Sequence, residues 1–518
     1  MNTTLNLDYL CQLPLIKAVV AEANKLAIQP YLVGGSVRDA ILSPEKPITD
    51  YDFLVLNGDA KTLVEQLVQL DVQDTRPITL DEQWGIFRWI ILPKSPLYPL
   101  IKSGMPQGTS PTELGETLPP VWVDVANALE NELHTDLNRR DLTINALALH
   151  PETGDVIDVV GGLADLTNRH IRMISAYNLM DDPLRLLRVF RFMACLGEQH
   201  PKLDPATLAC VAENVALLNT VAMERCHYEF LKMLSYPQAF PSLQAMADCG
   251  LLEQLIPELT ACRQVPPNSH HHLPLWEHTL ELVRQTELLY TVVDEQTKAI
   301  LNAPVANMTN GWGVVKLGCL LHDIGKPATW EIIPIAGEAE GKHTFLGHEK
   351  VGEDMTDALL KRWKLSGELT ALIKKLVRWH LYPCQFGQHS SRKSVLRFFR
   401  KLENHTPHVT VLALADRLST CGLAISAETL TTSKANHLWL LKRYYEEQSV
   451  LQAPRLLSGE TIMAILRIPP SQAVGQWLKR LEEAQQLGEI TTAGEATQWL
   501  VAQYRCPETL PNGLTKQE

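Results

Sequence analysis

Two sets of residues in this chain combine the types and spacing that chemistry requires. The first begins with Gly34-Gly35-Ser36-Val37-Arg38-Asp39 and resumes eleven residues later with Asp50-Tyr51-Asp52. Two glycines at the end of a strand let the backbone approach a phosphate closely and present N–H groups to it. Alternation along a strand turns Asp50 and Asp52 to one face, where paired carboxylates hold Mg²⁺. Arg139-Arg140-Asp141-Leu142-Thr143-Ile144-Asn145-Ala146 adds forked guanidinium donors for phosphate oxygens beside an acid and an amide suited to ribose hydroxyls. A lone Gly-Gly or Asp-x-Asp is common in turns, and an Arg-Arg-Asp run can simply open a helix. The blocks in this order are far more specific, and together they describe phosphoryl transfer. The second set is His278, His322-Asp323, His348, His380 and Asp416, spread over about 140 residues, each on or beside a predicted helix. A lone histidine is more often a satisfied core residue, but the full ordered set points to a metal. Nitrogen and carboxylate ligands suit Mn²⁺, Fe²⁺, Ni²⁺ or Mg²⁺.

The elements that must position these residues follow from periodicity. Leu15, Ile16, Val19, Ala23 and Ala27 repeat at helical spacing, Pro30 stops that helix, and Tyr31 to Val33 reads as a strand running into the glycines. Tyr51 to Leu56, Trp84 to Leu92 and Val121 to Val125 read as further strands. Asp124, alternating with Trp122, is a candidate third metal-facing carboxylate. Seven prolines from Pro93 to Pro120 mark an inserted surface loop. Asp158-Val159-Val160-Gly161-Gly162 predicts a pliable turn, and Asp181-Asp182-Pro183-Leu184-Arg185 a helix start with acids at its positive end. From about Leu179 onward the pattern is helical. The expected fold is an α+β head, a small mixed sheet with helices, followed by an all-α body.

At 518 residues, 45% hydrophobic and 20% charged, the chain exceeds one core, and three or four domains are expected. No apolar run is long enough for a membrane span and the N-terminus lacks a signal-peptide pattern, so a cytoplasmic location is expected. Ten scattered cysteines without a C-x-x-C pair argue against a disulfide framework or a cysteine-ligated zinc site. The net charge of −12 excludes a protein that coats nucleic acid non-specifically. Eleven Lys and Arg against one acid, Glu368, between Lys361 and Lys401 still suggest a local polyanion surface.

In sequence, these blocks resemble the class II tRNA nucleotidyltransferases, which include CCA-adding, CC-adding and A-adding enzymes and bacterial poly(A) polymerases. The resemblance implies that Asp50 and Asp52 bind catalytic Mg²⁺, with Gly34, Gly35, Ser36 and Arg38 about the nucleotide. It implies further that Arg140 and Asp141 contact the ribose, with Asn145 also at the nucleotide, that Asp182 and Arg185 read the base, and that Arg188 and Arg191 face triphosphate or tRNA. Met223-Glu224-Arg225 through Leu234 matches the family's neck helix. The family's usual Glu-Asp pair is Asp181-Asp182 here, and only Ala126 to Asn138 separates Val125 from Arg139. The flexible loop of CCA-adding members is therefore missing, as in CC-adding enzymes. Leu321-His322-Asp323-Ile324-Gly325-Lys326-Pro327, with Gly347-His348, Trp379-His380 and Ala415-Asp416, resembles the HD phosphohydrolase domain and implies a divalent transition metal or Mg²⁺ there. The implied organisation is a nucleotidyltransferase head over 1–166, a neck and tRNA-binding body over 167–262, an HD domain over 263–425 and a helical tail over 426–518. The implied partners are tRNA and CTP, with ATP if addition runs to CCA. A poly(A) polymerase and an RNA-binding protein with a relic active site are the alternatives. For the HD half the alternative to an active phosphohydrolase is a scaffold that extends the tRNA-binding surface. His270-His271-His272 reads as solvated linker.

Overall fold

The computed structural model describes residues 7–44, 47–70, 77–82, 85–93, 95, 98, 120–197, 201–267, 272–306, 309–334, 341–420 and 426–505. Most of the Pro-rich segment, with Trp84, His270 and His271, lies outside the described residues. The chain divides into two compact units, Met1–Met233 with Pro241–Leu255, and Leu234–Phe240 with Ile256–Glu518.

The first unit is built on a seven-stranded sheet: β1 (Gln29–Val33), β2 (Asp50–Leu56), β3 (Ile78–Asp81), β4 (Ile86–Ile91), β5 (Val121–Asn127), β6 (Leu147–Leu149) and β7 (Val156–Asp158), in the order β3-β4-β5-β2-β1-β6-β7. Its β2–β5 pair is parallel and the others are antiparallel, as expected of a mixed sheet. Tyr51, Phe53 and Val55 are buried on one face of β2, while Asp50 and Asp52 stand on the other. Along that second face Leu54 joins Tyr31, Val33, Leu137 and Ala148 in a closed apolar cluster, so the two carboxylates lie at its open end. The strands at β6 and β7 were not foreseen, because three residues are too few to show a period.

The turn after β7 is firmer than its glycines suggest. The Asp158 carboxylate accepts from the backbone N–H of Val160, Gly161, Gly162 and Leu163 at 2.8–3.3 Å. One side chain thereby caps the Gly162–Thr167 helix and fixes the loop, so the expected pliable turn is corrected to a pinned one.

In the second unit the helices Leu275–Leu288, Gly311–Leu321, His348–Arg362, Gly367–Trp379 and Thr406–Ser419 pack about a common core that includes Val283, Leu317, Leu320, Ile373, Leu376 and Leu412. A Cβ on Gly325 would stand 2.3 Å from the carbonyl oxygen of His348, so only glycine lets the loop after His322-Asp323 reach the His348 helix. Trp477, Leu481, Ile462 and Leu500 form a separate small core among the last three helices. The basic run is largely cancelled in space. Lys361, Arg362, Lys374, Lys375, Arg378, Arg392, Lys393 and Arg397 all pair with Asp or Glu, mostly from other helices. The expected polyanion surface is corrected accordingly. No helix among the described residues is long and apolar enough to cross a membrane.

Replacing Asp158 by Ala leaves several backbone N–H groups at the β7 turn without their acceptor, and should lower unfolding free energy by roughly 1–3 kcal/mol in a denaturant titration. An unchanged midpoint would show that water substitutes fully for the carboxylate.

Candidate active site and metal centre

Register brings the carboxylates together. Asp52 lies opposite Asp124 across the parallel β2–β5 pair, and Asp124 lies opposite Arg88 across β4–β5, so all three share a face with Asp50. Burial, with Asp124 and Asp50 beside it, pushes the Asp52 carboxyl up to about 6 against the pull of Arg140 and Arg38. Burial likewise raises Asp50, opposed by Lys232 and Arg88. Such a face binds a divalent cation by relieving its own repulsion, and its donor set of hard oxygens suits Mg²⁺. Asp124 does not join as a free third carboxylate. Arg88 grips it with Nε at 2.6 Å and Nη2 at 2.7 Å and lies 4.8 Å over the Trp122 ring. This guanidinium was missed in the sequence, since its partner is visible only in the strand register.

The glycine block positions that face. Gly34 sits at φ +63°, a conformation that favours glycine, and a Cβ there would stand 2.6 Å from Arg140 Nη1 and displace that guanidinium. The Gly35–Leu42 helix starts there. Ser36, expected at the nucleotide, has its hydroxyl engaged by β2: it donates to the Asp50 carbonyl at 3.0 Å and accepts from the Asp52 N–H at 2.8 Å. Its hydroxyl thereby fixes the backbone that carries the two aspartates.

Behind the face runs a buried polar chain. Arg38 donates to Asn145 Oδ1 at 2.6 Å, Asn145 donates to Asp141 at 2.9 Å, and Arg188 donates to the other Asp141 oxygen at 2.7 Å. Arg191 closes the chain on Glu229 of the neck helix Met223–Leu234. Asp141 also accepts from the Leu142 N–H, and despite burial Arg188 and these donors hold its carboxyl far below the usual range. Arg191 is itself buried, so the expectation that it faces triphosphate or tRNA is corrected: it ties the Leu184–Cys195 helix to the neck. Arg140 donates to the Asn145 carbonyl and to buried Asp136. The Asp182 and Arg185 side chains do not bond each other, although the Arg185 N–H donates to the Asp182 carbonyl at 2.8 Å. Asp182 pairs with Arg225 at 3.0 Å, while Arg185 Nη1 donates to the carbonyls of Arg139 at 3.0 Å and Asn178 at 2.7 Å.

In the second unit all six predicted ligands converge and are buried. They form two triads, His278 with His322 and Asp416, and Asp323 with His348 and His380, the ligand atoms of each lying within 4.8 Å of one another. Nδ1 of His322, His348 and His380 meets the carbonyls of Cys319, Phe345 and Val377 at 2.7–2.8 Å, and His278 Nδ1 meets Ser419 Oγ at 3.2 Å. A carbonyl only accepts, and Ser419 spends its own proton on the Asp416 carbonyl, so each Nδ1 carries hydrogen and each Nε2 is turned inward. The Nε2 atoms face Asp323 or Asp416 oxygens at 3.0–3.9 Å. Oδ1 of Asp323 and of Asp416 is buried without a hydrogen bond. Imidazole nitrogens and carboxylate oxygens that converge in a closed site fit divalent cations, and the outer N–H bonds are the usual support for imidazole ligands. Burial and neighbouring His322 push His380 down to about 4, which keeps it a neutral ligand. Lys326, 2.5 Å from Asp323, completes the centre and was present in the sequence block without an assigned role.

Family models match three segments: a poly A polymerase head domain over residues 117–172, a probable RNA- and SrmB-binding site of polymerase A over 202–263, and an HD domain over 305–421. The A-adding tRNA nucleotidyltransferase of Deinococcus radiodurans is 32% identical over 375 residues, which cover 71% of this chain and 79% of that protein. The chain belongs to the tRNA nucleotidyltransferase family. The CC-adding tRNA nucleotidyltransferase of Thermus thermophilus is also 32% identical, over 72% of this chain and 78% of that one. Among solved structures, a CCA-adding enzyme in an apo form shares the fold at a TM-score of 0.58 and 17% identity, with 96% of this chain and 95% of that chain covered. The Thermotoga maritima CCA-adding enzyme complexed with tRNA matches at 0.54 and 17%, with 95% of each covered. Relative to the loop expected in CCA-adding members of the tRNA nucleotidyltransferase family, the connection here is short: β5 ends at Asn127, a single 3₁₀ turn follows, and the next helix starts at Leu133.

Two outcomes are expected. Asp141 is held below its unfolded value of about 3.9, so its stabilisation is complete above that pH and is lost as pH falls below it. Asp141→Asn should cost about 3 kcal/mol at pH 7, through the stranded Arg188 charge, and should flatten the acid limb of a stability–pH profile. An unaltered acid limb would remove Asp141 as its source. In the second unit, elemental analysis of protein reconstituted with Mn²⁺ or Ni²⁺ should find metal that is lost from a His322→Ala, Asp323→Ala variant. Equal metal in both would place the ions elsewhere.

Proposed function

We propose that this protein adds C residues to tRNA 3′ ends without a nucleic-acid template, using CTP and Mg²⁺ and releasing pyrophosphate. The observation that carries the proposal is the Asp50-Asp52 pair, clamped by Ser36 on a strand whose face also holds the Arg88-bound Asp124. Asp50 and Asp52 would hold Mg²⁺, which would supply Lewis-acid stabilisation for in-line displacement at the α-phosphate. The chain's own residues supply selection and placement. Arg140 stands beside Gly34, where it can meet phosphate oxygens by forked hydrogen bonds. Asp182 accepts and Arg185 donates, so cytosine, with an amino group at N4 and acceptors at N3 and O2, satisfies both; uracil turns a carbonyl toward the carboxylate and leaves a partner unpaired. Arg185 has committed Nη1 to two backbone carbonyls, which leaves its Nε and Nη2 hydrogens for the base.

The short connection supports addition of C alone. One of the carbonyls that hold Arg185 belongs to Arg139, which caps the Leu133–Asn138 helix, and five residues tie that helix to β5. A reader fixed in this way does not shift to present its groups to the larger adenine. The HD centre, in this reading, is a metal-dependent phosphohydrolase that acts on phosphorylated RNA ends, because its six ligands form two complete triads. A bound divalent cation there would supply Lewis acidity and an activated water.

Purified protein given tRNA lacking its 3′ end should add two C residues from CTP and stop. Efficient A addition to a tRNA ending in CC would overturn the C-only assignment while leaving nucleotidyl transfer intact. Asp52→Ala should lower addition by about 10³-fold, some 4 kcal/mol of barrier, with tRNA affinity nearly unchanged, since phosphate contacts elsewhere carry binding. Wild-type turnover by that variant would sink the head assignment.

A further inference from the structure

Arg417 directly follows the metal-facing Asp416 on the Thr406–Ser419 helix. It is half-buried, and although its carbonyl accepts from Thr420, among the described residues its guanidinium makes no hydrogen bond or ion pair. The contrast with its neighbours is sharp: Arg284, Arg362, Arg378, Arg392 and Arg443 each hold a carboxylate. A guanidinium with five donors, partly withdrawn from water and left without an acceptor, is poised for an anion that arrives from outside.

Arg417 lines a cavity of about 520 Å³ together with Cys384, Phe386, Thr432, Asn436 and His437. A second hollow, of about 580 Å³, shares Thr432 and Asn436 and continues along Gly387 to Ser390. His437 is buried, with Nδ1 donating to the Ser433 carbonyl at 2.7 Å and Nε2 facing the Cys384 thiol at 3.7 Å. These two side chains satisfy each other, so Arg417 is the cation that the cavity offers, and Thr429, Thr432, Ser433 and Asn436 supply neutral polar groups. Glu428, exposed, is the one acid on the lining. Arg417 directly follows Asp416 and Cys384 lies four residues after His380, so the cavity is walled by residues close along the chain to two of the metal-facing ones. None of the six metal-facing residues lines it. An anion on Arg417 is therefore a neighbour of one at the metals and not the same group, with the two anchoring residues about 3.8 Å apart along the backbone.

We infer that this cavity is a backbone subsite of the HD centre: Arg417 holds the phosphodiester next to a terminal phosphoester of an RNA chain, with Thr432 and Asn436 placed for ribose hydroxyls. The inference rests on the phosphohydrolase reading of that centre. For a dinucleotide that ends in a 3′-phosphate, water adds to the terminal phosphorus, the bond from phosphorus to the 3′-oxygen breaks, and that oxygen takes a proton. The products are inorganic phosphate and a free 3′-hydroxyl. The internal phosphodiester stays intact on Arg417.

The test compares full-length, metal-loaded wild type with Arg417→Gln on 3′-phosphorylated CpC and on p-nitrophenyl phosphate, which has no second phosphate. Loss of one charge-assisted contact should raise KM for the dinucleotide by roughly tenfold or more. Its kcat, the KM for p-nitrophenyl phosphate, the metal content and the Tm should stay at wild-type values, and Arg417→Lys should recover part of the loss. An unchanged KM for the dinucleotide, or an equal rise for both substrates, overturns the subsite while the phosphohydrolase stands. If wild type cleaves neither substrate, the phosphohydrolase reading fails, and calorimetric binding of the dinucleotide decides the subsite: affinity that falls in Arg417→Gln sustains it, and equal affinity in both proteins overturns it.

Discussion

The carboxylate of Asp141 is the point on which the first unit depends. It is buried, and its charge is tolerated because Leu142, Asn145 and Arg188 all donate to it. Through Asn145 it reaches Arg38 on the glycine-block helix, and through Arg188 the helix that starts after Asp182. Four stretches distant in sequence are thus held by one chain of charge-assisted hydrogen bonds, and each link strengthens the next in a low-dielectric setting. Residues that resemble nucleotide contacts in a linear reading are in part the frame that aims such contacts.

That division between frame and contact marks the limit of the sequence. Alternation alone placed Asp50 and Asp52 on a common face, and the order of the blocks placed the glycines, the arginines and the neck. A period of two says which face a residue takes but not what lies opposite, so the grip of Arg88 on Asp124 stayed hidden until β4, β5 and β2 were in register. The same reason explains the basic run. Glu447 and Glu483, which neutralise Arg392, Lys393 and Arg397, lie 55 to 90 residues further along the chain, roughly the reach that only a folded structure supplies. The Gly-Gly turn after β7 was misjudged because glycine permits mobility without requiring it, and Asp158 removes it.

For the second unit the ligand set was legible because six residues of the right kinds lie in one order, and the structure joins them without exception. What could not be read was the protonation pattern. Each imidazole is oriented by a backbone carbonyl or by Ser419, groups that carry no side-chain signature in a motif or belong to a neighbouring turn. Lys326 alone among the charged neighbours brings a cation to Asp323.

The buried carboxylates of that centre have a thermodynamic meaning for the helices that carry them. Folding without metal must bury Asp323 and Asp416 among imidazoles 3.0–3.9 Å away, at a desolvation cost that only those imidazoles and Lys326 offset. Ions that bind the folded form alone reverse this by mass action, adding about 2.7 kcal/mol when free metal stands at a hundred times its dissociation constant. Resistance of these five helices to heat and to proteolysis is then set by the ionic composition around them as much as by their apolar core, which makes the folded population itself a gauge of available metal.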